Sequence, residues 1–198
     1  MKRVRRLEFG SGAVAMRYAP RRSPLASQNP GRSLLIRPLT AQDGVLVRKF
    51  LYQALHIPAG QPPFPAEIVD QPELRRYSDG WGRPGDSGVV AQLGGLAVGV
   101  AWLRLWTPDE PGYGYVDAAT PELSIAVLPD YRGRGIGRQL LDRLLDQAQG
   151  RWPAVSLSVD RDNPAGRLYA RLGFAVVAES GASQIMVKSL RRQTFQGR

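Results

Sequence analysis

The segment Glu122-Leu-Ser-Ile-Ala-Val-Leu-Pro-Asp-Tyr-Arg-Gly-Arg-Gly-Ile-Gly137 constrains this chain more than any other. It starts as an apolar run of strand length, bends through arginine and glycine, and opens into a helix. From Gly135 to Gln149 the apolar residues Ile136, Leu140, Leu141, Leu144, Leu145 and Ala148 share one helical face, and Gly150 is a natural stop. The first turn of a helix carries unpaired N–H groups and a positive dipole end. Gly133, Gly135 and Gly137 let a phosphate reach those groups without a Cβ in the way, and Arg132, Arg134 and Arg138 add charged donors. The segment therefore reads as a pyrophosphate cradle. The plainer reading, an ordinary glycine-rich turn, is disfavoured by three glycines and three arginines within seven residues. A dinucleotide fingerprint needs glycine where Arg138 stands, and no Gly-Lys-Ser/Thr follows for a P-loop.

Around this segment the coarse order is β-α-α-β-β-β-α-β-α-β-β. A strand is expected at Leu34–Arg37, then a helix capped by Thr40 with Asp43 in its first turn. Residues 57–65 carry four prolines and must be irregular, a helix is expected over 66–77, and 78–88 is a glycine-rich loop. Strands at Val89–Leu93 and Leu96–Leu105 flank a Gly94-Gly95 hairpin turn. After the central strand and helix come a strand at Val155–Val159, a helix at Pro164–Leu172, and strands at Phe174–Val177 and Gln184–Lys188.

Composition narrows the chemistry. The chain of 198 residues is 43% hydrophobic, enough for a core. It has no cysteine, which excludes disulfides, thiolate metal sites and a cysteine nucleophile. Its one histidine, His56, cannot build a multi-histidine metal site and reads as a loop histidine rather than a base; no metal is expected. No apolar run is long enough to span a bilayer, so no membrane partner is expected, and a cytoplasmic address is the default. Of the net charge of +10, residues 1–32 hold +7, and the tail from Lys188 adds four bases and no acid. The ends thus read as a basic flexible leader (1–32) and a basic tail (191–198) on a near-neutral body (33–190). They are either solvated or a polyanion-binding arm, and nothing resembling a recognition helix supports a specific nucleic-acid partner.

Arg132-x-x-Gly135-x-Gly137 after Val-Leu-Pro resembles the acetyl-CoA signature of the GNAT N-acetyltransferase superfamily. Asp160-Arg-Asp-Asn163-Pro, Tyr169 and Leu172-Gly173-Phe174 resemble the strand, helix and turn that follow it there. Gly80-Trp-Gly-Arg-Pro-Gly-Asp86 resembles a stretch in bacterial members of unassigned substrate. The resemblance covers roughly 33–190. It implies an α/β (α+β) fold in one domain, with a mixed central sheet flanked by helices and two central parallel strands splayed apart. It implies acetyl-CoA as cosubstrate and transfer of an acetyl group to a primary amine on a small molecule or peptide. On that reading, backbone groups of Ile125, Ala126 and Val127 pair with the pantetheine arm. The N–H of Val127 or Leu128 faces the acetyl carbonyl. Gly133, Arg134, Gly135, Ile136, Gly137 and Arg138 wrap the pyrophosphate together with Arg132, and Asn163 touches the coenzyme. Glu122 is the implied general base and Tyr169 the general acid.

Each assignment has a plainer alternative. Glu122 could be a solvated strand-start carboxylate, and Tyr169 a core aromatic. Asn163 before Pro164 is a sound helix cap in its own right. The resemblance implies an acceptor side on 52–81 and 107–120, which are rich in aromatics and acids, with Asp79, Trp81 and Tyr113 as candidate contacts. The rival functions are a coenzyme-binding sensor without turnover and a nucleic-acid binder using the basic ends. Nothing in the sequence opposes a homodimer.

Overall fold

Strand β1 (Leu34–Pro38) hands over to the first helix through a tight turn whose pivot is Asp43. The Asp43 carboxylate accepts hydrogen bonds from the Thr40 N–H (2.7 Å) and hydroxyl and from both terminal nitrogens of Arg37 (2.9 Å). The Arg37 guanidinium holds this carboxyl well below the usual carboxylate range. Helix α1 (Gly44–Ala54) then buries Val47, Phe50 and Leu51. The computed structural model describes residues 33–58 and 60–191. The basic leader and the tail beyond Arg191 lie outside them, and so does the reading of those ends as a polyanion-binding arm.

The single helix expected over 66–77 is broken in two. A 3-10 turn covers Ala66–Asp70, and α2 (Pro72–Arg75) is one turn long. Gln71 between them is extended, with ψ 137°, because the ring of Pro72 disfavours a helical residue before it. Strands β2 (Ser87–Leu93) and β3 (Leu96–Arg104) form the expected hairpin, with positive φ at Gly94 and Gly95. Then follow β4 (Glu122–Val127), α3 (Ile136–Ala148), β5 (Ala154–Asp160), α4 (Gly166–Arg171), β6 (Ala175–Ser180) and β7 (Ser183–Ser189). Helix α4 begins two residues later than expected, because Asn163-Pro164 forms a turn ahead of it. Lys188, which the sequence groups with the basic tail, lies in β7. Its Nζ donates to the Leu172 carbonyl at the end of α4 (2.7 Å), where orphan carbonyls need a donor.

Among the described residues seven strands form one mixed sheet in the order β1-β2-β3-β4-β5-β7-β6. On one face the stripe of α3, with Leu140, Leu141 and Leu144, packs on Val89, Ala101, Leu103 and Leu157. On the other, Val47 and Phe50 of α1 pack on Val90, Val100 and Trp102. Each fully buried Val, Leu or Phe among them stabilises the fold by about 1.5–3 kcal/mol. Only β4 and β5 are parallel, and they pair at a single position, Glu122 opposite Ser156. Beyond it the strands part. Among the described residues no helix is long and apolar enough to cross a membrane.

Candidate functional site

The split between β4 and β5 leaves half of a strand edge unpaired. Ser156 N–H donates to the Pro121 carbonyl (3.0 Å), and Leu128 N–H donates to the Val98 carbonyl of β3 (2.9 Å). Backbone groups alternate sides along a strand. These two bonds therefore set the direction of every residue between them. Ile125 and Val127 turn their N–H and C=O toward β5, with no strand there to meet them, whereas Ala126 and Leu128 turn theirs to β3. This corrects the expectation on two counts. Ala126 offers no backbone group to a ligand in the split, and Leu128 has no spare N–H; Val127 is the amide that remains.

Immediately after this edge comes the arginine–glycine bend. Gly133 and Gly135 adopt positive φ (73° and 76°), and a Cβ added at either would meet nothing within 4 Å. Gly135 is the N-cap of α3, and the first helical bond of the sequel is Gln139 N–H to Gly135 C=O (3.1 Å). The amides of Ile136, Gly137 and Arg138 therefore precede the helical ladder and are open to an anion. Gly137 faces inward: a Cβ there would touch Ile125, Val127 and Leu168 at ordinary contact distance. Arg132 Nε donates to the Val127 carbonyl (2.9 Å), which fastens the bend to the end of β4. Arg134 lies over the Tyr131 ring, and Arg138 pairs with Asp142 one turn on (2.8 Å). A Gly135→Ala substitution forces an L-residue into the left-handed region at a cost of about 1–2 kcal/mol. We expect that loss in denaturant unfolding, accompanied by weaker anion binding at the bend.

Glu122, at the root of the split, is not the solvated carboxylate of the plainer reading; it is 4% exposed. The Tyr77 hydroxyl donates to it (3.1 Å to Oε1) and itself accepts from the Tyr113 N–H (2.7 Å). Tyr77 is held in turn by Tyr113, stacked at 6.0 Å, by Trp106, edge-on at 4.7 Å, and by the Trp102 indole N–H, which donates to its carbonyl (3.2 Å). The segment 111–115 seals the carboxylate. A Cβ on Gly112 would run into Glu122 Oε2 and Trp106 Nε1, and one on Gly114 would fall 2.7 Å from the Leu157 backbone. These two glycines are what allows the backbone to close over the acid. Burial pushes the Glu122 carboxyl up to about 7, while the Gly114 N–H, the Tyr77 hydroxyl and the Trp106 indole favour the charged form and limit the rise.

Tyr169 lies in the α3-side core, 8% exposed, edge-on to Phe174. Burial pushes its hydroxyl up to about 12, so it holds its proton at neutral pH. Asn163 Oδ1 accepts from the Ala165 N–H (2.9 Å) and shapes the turn before α4, which leaves its side-chain NH2 to serve another partner. Of the three acceptor candidates only Tyr113 is brought to Glu122. Asp79 pairs with Arg75, and the Trp81 indole N–H donates to the Thr40 carbonyl (2.8 Å). Both belong to the 76–86 loop, whose anchor the sequence did not single out. Arg104, 1% exposed, donates Nε and Nη2 to Asp86 (3.0 and 2.7 Å) and Nη1 to the carbonyls of Arg76 and Asp79. The one signal for it was a lone charge ending the apolar strand β3.

Residues 51–174 match the Acetyltransferase (GNAT) family. The chain is 34% identical over 93 residues to the L-methionine sulfoximine/L-methionine sulfone acetyltransferase of Salmonella typhimurium, covering 46% of this chain and 52% of that protein. It is 41% identical over 87 residues to the N-alpha-acetyltransferase RimI of Mycobacterium tuberculosis, covering 43% and 50%. The chain thus spans about half the length of these relatives. Among solved structures, yncA of Salmonella typhimurium with its cofactor acetyl-CoA superposes with a TM-score of 0.57 at 24% identity, over 81% of this chain and 96% of that one. An acetyltransferase of Thermus thermophilus does so at 0.55 and 25%, over 80% and 97%.

Proposed function

Because the chain belongs to the GNAT acetyltransferase family, we propose that it transfers an acetyl group from acetyl-CoA directly to a primary amine. The observation that carries this reading is the single-pair contact between β4 and β5. It frees the edge at Ile125 and the N–H of Val127, whose carbonyl Arg132 takes, directly ahead of a bend whose glycines leave room for an anion. A chain with an extended amide-bearing arm and a diphosphate fits that sequence of surfaces: edge first, cradle second.

Acetyl-CoA supplies the activated acyl group as a thioester. The residues of this chain do the rest. The Val127 N–H faces the position where negative charge builds as the amine attacks. Glu122, with its carboxyl near 7, is the final acceptor of the proton that the amine must lose, reached through a relay because residues 111–115 cover it. Tyr169, protonated at neutral pH, gives a proton to the departing sulfur. The amide cradle of residues 133–138 with Arg132 and Arg134 neutralises the diphosphate, and the Asn163 NH2 adds a donor from the β5 side. The acceptor is a small-molecule or peptide amine approaching over Tyr113 on the α1 face. A cytoplasmic setting accords with a chain that has no cysteine.

Thermal melts test the coenzyme assignment. Acetyl-CoA at a hundred times its dissociation constant should stabilise the chain by about 2.7 kcal/mol, whereas NAD and ATP at equal concentration should not. Equal shifts with all three would refute it. Release of free thiol across a panel of amines then reads the acceptor. A coenzyme-binding sensor would pass the first test and show no amine-dependent thiol release.

A further inference from the structure

The histidine that the proposed chemistry does not use stands beside two carboxylates. His56, in the turn after α1, has its Nε2 3.2 Å from Asp162 Oδ1. One ligand atom each from His56, Asp160 and Asp162 lies within 4.8 Å of the others. The Nε2 is shielded from solvent and makes no well-aligned hydrogen bond. Two donors on one tetrahedral ion with bonds of about 2.0–2.2 Å sit about 3.3–3.6 Å apart; His56 Nε2 and Asp162 Oδ1 are already at 3.2 Å, and the third ligand atom, within 4.8 Å of both, closes onto the ion when it binds. The Ser183 hydroxyl donates to Asp160 Oδ1 and orients that carboxylate, as outer hydrogen bonds orient metal ligands. Arg161, between the two aspartates, donates instead to Glu179 (2.9 Å) and to the Gly181 carbonyl. One imidazole and two carboxylates suit a divalent transition ion such as zinc or manganese better than magnesium, which prefers all-oxygen octahedra.

We infer that His56, Asp160 and Asp162 form a divalent transition-metal site that ties the turn after α1 to the turn after β5. Helix α1 packs over β4, and Asp160 is the last residue of β5. The ion therefore bridges the two sides of the split at its open end, one residue before Asn163. Its part is structural: it fixes the spacing of the two limbs and takes no part in the proton transfers at Glu122.

The site is tested on the full chain after treatment with chelator. Zinc, manganese or magnesium ions are added to wild type, His56→Ala and Asp162→Asn, with binding followed by calorimetry and by melting temperature. The expected result is one zinc per chain, a rise of several degrees in melting temperature, and little response to magnesium. Both variants should bind zinc at least tenfold more weakly and lose the thermal shift. Asp162 is exposed, so its variant folds even if loss of His56 disturbs the turn. Cobalt should give ligand-field bands in the wild type that Asp162→Asn lacks. A zinc shift equal in all three proteins, or none in the wild type, overturns the assignment and leaves a plain imidazole–carboxylate pair.

Discussion

Glu122→Gln should cost about 10²–10⁴-fold in acetyl transfer while leaving coenzyme binding intact. It should also make the protein more stable above neutral pH. The second effect follows from burial. Burial raises the Glu122 carboxyl to about 7 in the folded chain against about 4.5 when unfolded. Below the unfolded value both states are protonated and the group is silent. Between the two values the unfolded chain has released the proton and the folded chain still binds it, so stability falls as pH rises. Above the folded value the loss is complete and levels off at on the order of 3 kcal/mol. Glutamine keeps the shape and accepts the Tyr77 hydrogen bond but carries no titration. Urea unfolding at pH 5 and pH 8 should therefore show a small gap between variant and wild type at the lower pH and a large one at the higher. A gap that does not grow with pH would show that the carboxylate is not destabilised by its surroundings. Unchanged turnover in the variant would remove Glu122 from the chemistry.

Arg104→Met is expected to destabilise the fold by about 3–5 kcal/mol. The side chains of Arg104 and Asp86 are each 1% exposed. Removing the guanidinium leaves the buried Asp86 carboxylate with only the Gly82 N–H (3.0 Å) and the more distant Arg83 (3.9 Å), and strips two carbonyls, those of Arg76 and Asp79, of their donor. Domains of this size have about 5–15 kcal/mol in total, so the variant approaches the edge of folding. The double variant Arg104→Met/Asp86→Leu removes both charges and should recover part of the loss, a coupling that only a paired buried charge gives. A single-variant cost below about 1 kcal/mol would mean that water reaches the pair. The functional consequence is local: the clamp holds the carbonyls on either side of Tyr77 and Ser78, and Tyr77 is the residue that meets Glu122.

The shape of the arginine–glycine bend was legible from residue order because each of its requirements is local. Positive φ calls for glycine at 133 and 135, the apolar stripe from Ile136 to Ala148 dictates a helix of that length, and amides at its first turn follow from helix geometry. The paired hairpin at Gly94-Gly95 was readable for the same reason. The expected helix over 66–77 is broken by one local feature, the proline at 72, which holds Gln71 extended. Tertiary structure alone decided which backbone groups face the split, because that depends on where β4 meets β3 and β5 rather than on the identity of Ile125 or Ala126. It alone joined Tyr77, Trp106 and Gly112 to Glu122, Arg104 to Asp86, and His56 to Asp162. Those partners are separated by ten to more than a hundred positions. Such contacts depend on the packing of distant segments, and no periodicity or motif along the chain encodes which distant residue will arrive.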